Sequence, residues 1–416
     1  MKTKNLLSIL LLTATLFSKP IFASDLVVEE FGTAPAYPSI TLAVAAAVDG
    51  DRILIRNRAG NIPWIENVTI SKSLELLSYE NDTFYIVQGN YIIDAAVGRT
   101  VSIIGMKNLS GSIQYGASGG TIKSCTVNVF DSYLLLGNIS LGQTVFTVNI
   151  SGCTLINGLV YMSYGNLIGN SLTNSSSSVE VLTVINNTSF QNDTCRIIGN
   201  KITNNTSGYA GMYCSNTSSI LHIKNNYIFH RYMGIQINGC ANVAIPNCIY
   251  NNTIWADNYN FTNYGIYLFQ LPTNSITEIM NNVIDASNTG TKYGLLLSSS
   301  TGQVNAYYNH IDVGITNSIS GSFTFAGNNT TNAGISFNTA TAVLNAGDAC
   351  IDGGNPANPF YDLDLTAGDA GAYGASLSLT NYFPLHSGGA RIYSVAYPFN
   401  IRSGSTLNVK ANGYDR

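Results

Sequence analysis

Five asparagines in this chain each stand just ahead of a short apolar, β-branched run, and they recur at a nearly fixed interval. The segments are GNKIT around Asn200, NNYIF around Asn226, NNTIW around Asn252, NNVID around Asn282 and YNHID around Asn309. Successive asparagines are 26, 26, 30 and 27 residues apart. A period of that length with strand-forming residues in every copy is the mark of a coiled solenoid. Alternation along Tyr227-Ile228-Phe229 sends every second side chain inward, but one coil cannot bury that face alone. Stacking coils at the parallel-strand spacing of about 4.8 Å buries it, pairs the backbone and places equivalent asparagines above one another. A second marker follows the first: Gly211, Gly234, Gly265 and Gly294 each open a further apolar run, read as the next strand with glycine at the bend.

The expected fold is all-β, a single-stranded right-handed parallel β-helix with a short N-terminal capping helix and a small C-terminal β extension. Composition agrees. Charged residues make up 10% of the 416, against an ordinary quarter or so, and the net charge of −4 offers nucleic acid no basic stripe. Lys2 and Lys4, the apolar run Leu6 to Phe17 and Pro20-Ile-Phe-Ala23 read as a secretory signal over residues 1–23. Beyond it no apolar run reaches the length of about 20 residues that spans a membrane, so a secreted or cell-surface protein without a transmembrane span is expected. Residues 24–381 read as the β-helix with its cap, and 382–416, where the Asn- and Gly-rich texture stops, as a terminal cap or attachment extension with strands near 391–397 and 406–410.

Seven cysteines leave one without a partner. Cys214 and Cys240, 26 residues apart, and Cys125 and Cys153, 28 apart, could stack in adjacent coils, and Cys248 is another partner for Cys240. Small buried hydrophobes in core ladders are the favoured reading over any one bridge. There is no C-x-x-C pair, and neither a metal site nor a cofactor is expected.

Two segments carry a family resemblance. Tyr37-Pro-Ser-Ile-Thr-Leu-Ala-Val-Ala-Ala-Ala-Val-Asp-Gly-Asp-Arg-Ile-Leu-Ile, with Glu66-Asn-Val-Thr-Ile and Lys72-Ser-Leu-Glu-Leu, resembles the opening of pectin-lyase-like β-helix proteins. Ser39 is placed to cap a short Ala-rich helix, Asp49-Gly50 to end it, and Ile53-Leu-Ile55 to begin a strand. Cys350-Ile-Asp-Gly-Gly-Asn-Pro356 and Asp362 to Gly374 resemble the closing segment of secreted bacterial β-helix proteins, with Leu365 and Gly368 where those carry Gly and Arg. Asp362, Asp364 and Asp369 lack the pattern of a calcium loop and read as turn chemistry. The resemblance implies a fold shared by lyases, hydrolases and non-catalytic surface proteins.

Chemistry is harder to find. The Asn-Thr-Asp, Asp-Asp and Gly-His-Gly signatures of polygalacturonase-like enzymes are missing. A β-eliminating lyase needs a base and a cation against the uronate carboxylate. Lys224, His230 and Arg231 are the local candidates, with Arg231 one period before Asp257 and in line to pair with it. Lys201 and His310 share a register but stand four coils apart, His222 reads as a strand-face residue, and His386 lies in the extension. The leading expectation is a non-catalytic scaffold whose Tyr- and Asn-lined faces bind a polysaccharide or cell-surface glycan or a second copy. A lyase or hydrolase of acidic polysaccharide is the alternative.

Overall fold

The computed structural model describes residues 23–117, 125–142, 146–176, 178–185, 193–257, 262–286, 290–313, 317–332, 334–357, 361–362, 364–385, 391–396 and 409–414. The expected signal segment, apart from Ala23, and His386 lie outside them.

The chain winds as a right-handed parallel β-helix whose rungs form three sheets. The first sheet runs from Asp25–Val28 to Phe325–Gly327, the second from Trp64–Ile65 to Thr330–Thr331, and the third from Val68–Ile70 to Ile319–Ser320. Pairing within all three is parallel and residue-for-residue. Ile202, Ile228, Ile254, Ile284 and Ile311 form one inward column on the second sheet, each fully buried.

The asparagine column is a continuous ladder, and it extends past the five predicted members. From Asn170 through Asn200, Asn226, Asn252, Asn282 and Asn309 to Asn329, each residue sends both its backbone N–H and its side-chain Nδ2 to the Oδ1 of the next. Each Nδ2 also reaches a carbonyl of the rung behind, as Asn252 does to Ile223 at 3.0 Å. A buried amide that donates and accepts at full capacity holds the corner between the first and second sheets without an orphaned polar group.

The doubled asparagines divide two tasks. The residue just before the ladder position has left-handed backbone at Gly169, Gly199, Asn225, Asn251, Asn281, Tyr308 and Asn328. Glycine and asparagine enter that region most readily, so the pair is a turn residue followed by a ladder residue. The earlier rungs use a different corner. Between the second and third sheets, Asn67 Oδ1 accepts from Asn90 N–H, Asn90 Oδ1 from Ser112 N–H, and Asn138 Oδ1 from Leu159 N–H.

The glycine column has another cause than bending. A Cβ on Gly234 would lie 2.3 Å from the Cγ2 of Ile254, and one on Gly265 would lie 2.4 Å from that of Ile284. Glycine is required because the isoleucine column presses on the third-sheet backbone, with no left-handed φ involved.

At the amino end the helix Ile40–Ala46 closes the core, with Ser39 Oγ accepting from Leu42 N–H as expected. Its last residue is Ala46, and Asp49-Gly50 belong to the turn that follows. A rung the sequence reading overlooked, Asp25–Val28, precedes the helix and pairs with Arg52–Ile55. The two flanking segments of the family pattern hold the helix ends. Glu66 accepts the N–H groups of Ile40 and Thr41, and Lys72 donates to the carbonyls of Val44, Ala45 and Ala47. Opposite charges thus meet opposite ends of the helix dipole.

The segment after the last rung turns back and descends the outside of the solenoid over the turn residues. Asn281 accepts from Asn355 N–H, Asn251 donates to Asp369 O, Asn225 donates to the carbonyls of Ala372 and Gly374, and the Tyr382 ring lies on Gly199 and Gly169. Asp362 and Asp369 accept backbone N–H groups within this strap. The extension forms an antiparallel hairpin, Arg391–Ala396 with Lys410–Tyr414. It rests on the first sheet, with Tyr414 stacked on Phe130 at 4.2 Å.

All seven cysteines are buried free thiols. The proposed columns do not form: Thr126 opposite Thr147 leaves Cys125 level with Phe146, and Cys214 pairs with Ile237 rather than Cys240. Unequal rung lengths shift the register away from a simple count.

Replacing Asn252 by alanine strands donors on Asn226 and acceptors on Ile223 and Tyr250, and should cost about 3 kcal/mol. Gly265→Ala should cost about 1–3 kcal/mol through overpacking. Denaturant midpoints at unchanged m-value check both.

Candidate functional site

The four sequence candidates fall in three places. Arg231 and Asp257 meet as predicted at the corner after the second sheet, with Nη2 3.1 Å from Oδ2. Arg231 also donates to Asn205 O, and the pair is about one-third exposed on each side. His230 points into the core and is fully buried. Neither of its ring nitrogens has a hydrogen-bond partner among the described residues. Lys224 lies on the outer face of the first sheet, at the end of Ile220–Lys224. No single constellation unites them. Lys201 packs over the Phe383 ring at 4.7 Å, and His310 Nε2 is 2.9 Å from Gly353 O.

Around Lys224 the outer face of the first sheet carries two adjacent columns of outward, mostly polar side chains. Arg196, His222, Cys248, Glu278 and Asn305 share one register on successive rungs. Lys224, Tyr250, Met280 and Tyr307 share the next outward one. The Tyr250 hydroxyl donates to Glu278, and the Lys224 ammonium stands 5.0 Å from the Tyr250 ring centre. Burial holds the Lys224 ammonium below its ordinary range and lifts the Tyr250 hydroxyl far above its own. Burial, with the positive charges of Lys224 and Arg196, pushes His222 down to about 3. Lys224, Tyr250 and Glu278 thus form a connected row along the face. Sequence reading named Lys224 and took His222 for a strand-face residue, but missed Tyr250, Glu278 and Tyr307. Counting back two and four places from each ladder asparagine would have found these columns.

A second surface lies on the third sheet. Strands Met233–Asn238, Asn263–Phe269 and Lys292–Ser298 put Met233, Tyr264 and Tyr293 in one register, and Gln236, Tyr267 and Leu296 in another. Tyr264 and Tyr293 stack with centres 5.3 Å apart and planes within 7°. Tyr264 also stacks on Tyr267 at 5.4 Å and takes the edge of Tyr232 at 5.7 Å, while Tyr267 leans on Phe269 at 6.0 Å. Parallel rings at that separation are offset like roof tiles, so part of each face and the hydroxyl edge remain at the surface. All five side chains are half-buried. Among the described residues no group of three His, Cys, Asp or Glu side chains is placed to hold a metal ion, and no helix is long and apolar enough to cross a membrane.

A scan of known protein families finds no match, and a search of curated proteins finds none either. Among solved structures, a chain described as the crystal structure of pectate lyase Pel9A aligns at 13% identity, covering 85% of this chain and 97% of that one with a TM-score of 0.36. A likeness that distant says nothing about activity.

Acid should destabilise this protein through His222 and His230. Burial drives His230 down to about 3, as it does His222, against an unfolded value near 6.5. The unfolded chain therefore binds more protons between those limits, and stability falls as pH drops from about 6.5 toward 3, by up to about 1.4 kcal/mol per pH unit per histidine. His230→Leu should flatten part of that slope. Melting temperatures of both chains from pH 8 to pH 4 test this, and parallel curves would refute it.

Proposed function

We propose that this chain is an extracytoplasmic β-helix scaffold that binds neutral glycan on the aromatic tile of its third sheet, without catalysis. The tile carries the reading: Tyr232, Tyr264, Tyr267, Phe269 and Tyr293 form a continuous half-buried surface on consecutive rungs. Sugar rings present C–H faces to aromatic faces and hydroxyls to tyrosine hydroxyls, and rigid amphipathic rings lose little entropy on binding. The rung spacing of about 4.8 Å repeats these contacts along the axis, which suits a polymer better than a single sugar. On the first sheet, by contrast, the Tyr250 hydroxyl is committed to Glu278 and the Lys224 ammonium packs over the Tyr250 ring.

Calorimetric titration with a panel of soluble oligosaccharides should show weak binding to at least one neutral chain, strengthening with chain length. Tyr264→Ala with Tyr293→Ala should weaken it about tenfold or more, at about 0.5–1.5 kcal/mol per aromatic contact. Absence of binding across the panel, or equal binding by the double variant, would refute the assignment.

The alternative, a lyase for acidic polysaccharide, finds its support in Lys224, whose burial favours the neutral amine a base requires. It predicts rising absorbance from unsaturated ends on polyuronate, lost in Lys224→Ala. The scaffold reading predicts a flat trace from both chains.

A further inference from the structure

We propose that two copies of this chain associate end to end, last rung against last rung, about a two-fold axis. The final strands of the three sheets, Ile319–Ser320, Phe325–Gly327 and Thr330–Thr331, have no further strand above them among the described residues. Phe325 is 52% exposed, and Ala326, Thr330 and Thr331 are exposed beside it. The strap descends the side rather than covering this end, with Phe337 against Trp255 and Ile335 packed near Val283.

Natural sheet edges are normally defended by charges, proline, bulges or a covering element. None of the first two is found here: residues 313–347 contain no Asp, Glu, Lys, Arg or Pro. Two such ends therefore meet without charge repulsion.

The other end of the solenoid is defended. The helix Ile40–Ala46 covers its core, Tyr37 pairs with the outer edge of the first strand, and Asp25 and Arg52 form an ion pair there. Head-to-tail stacking is thereby blocked, and like must meet like. The last rung is suited to that. Its edge backbone groups are complementary to a second copy turned by a two-fold rotation, which makes the new pairing antiparallel. Phe325 stands over Asn305 at the outer rim of the last rung, with its ring against Tyr307 of the rung below, and so adds an apolar margin to the exposed edge. One rung offers a small area, so the association is weak and closes at two copies, without growing into filaments.

Sedimentation of the full chain over a concentration series should show a monomer–dimer equilibrium. Phe325→Lys with Thr330→Lys places two like charges on each exposed end and should weaken dimerisation at least tenfold with the melting temperature unchanged. Mild oxidation of Thr330→Cys should give a linked homodimer, since the native thiols are buried. Should the lysine variant not fold, the cysteine variant carries the test. Monomer throughout, a dimer unaffected by the two lysines, or linkage only between Thr330→Cys and Leu42→Cys copies would overturn the proposal. The tile lies on the side of the solenoid, so the lysine variant keeps any glycan binding and the two readings fail separately.

Discussion

Register between rungs is the constraint from which the rest of this molecule follows. A parallel sheet tolerates a slip of one residue only by turning its buried face to water, so something must fix each rung against the last. Here one side chain at a corner does it, donating and accepting in the direction of the axis. Asparagine alone among small side chains offers both an NH2 donor and a carbonyl acceptor at that reach. Once Asn226 is bound to Asn252, the isoleucine two places on must stack over its counterpart, and the core column is set.

The same constraint accounts for the residues around the ladder. A corner tight enough to bring the amides together needs left-handed backbone just before them, which is why asparagine or glycine so often occupies that place. The isoleucine column presses across the interior on the third sheet, where a side chain at Gly234, Gly265 or Gly294 would collide. Local conformation, packing and polar satisfaction favour one arrangement, as a foldable sequence requires.

Much of this was readable in the residues alone, because a period conveys three-dimensional adjacency. The ladder from Asn200 to Asn309, the Ser39 cap and the contact of Arg231 with Asp257 all follow from counting. Counting fails where rung length changes: Asn128, Asn149 and Asn166 form a shorter outer ladder with steps of 21 and 17 residues, and the amides of the earliest rungs sit at another corner. The cysteine columns failed for that reason. The descent of the strap had no periodic sign, since its contacts join distant positions at irregular separations, 74 residues for Asn281 and Asn355 and 149 for Asn225 and Gly374. Leu365 shows the opposite case. It stands where the resemblance leads one to expect glycine, and its φ of 69° is one that glycine adopts without strain. Of the surfaces, the tyrosine tile and the Lys224 face became visible only once outward columns could be told from inward ones.

The strap alters how such a molecule comes apart. A bare solenoid behaves as a row of neighbours, free to fray from an end one coil at a time. A cord lashed from the rung of Asn281 down to that of Gly169 ties those coils into a single unit, so loosening one means releasing the others. It can be laid only after the coils beneath it exist, which makes it a late event in folding and a long-range one.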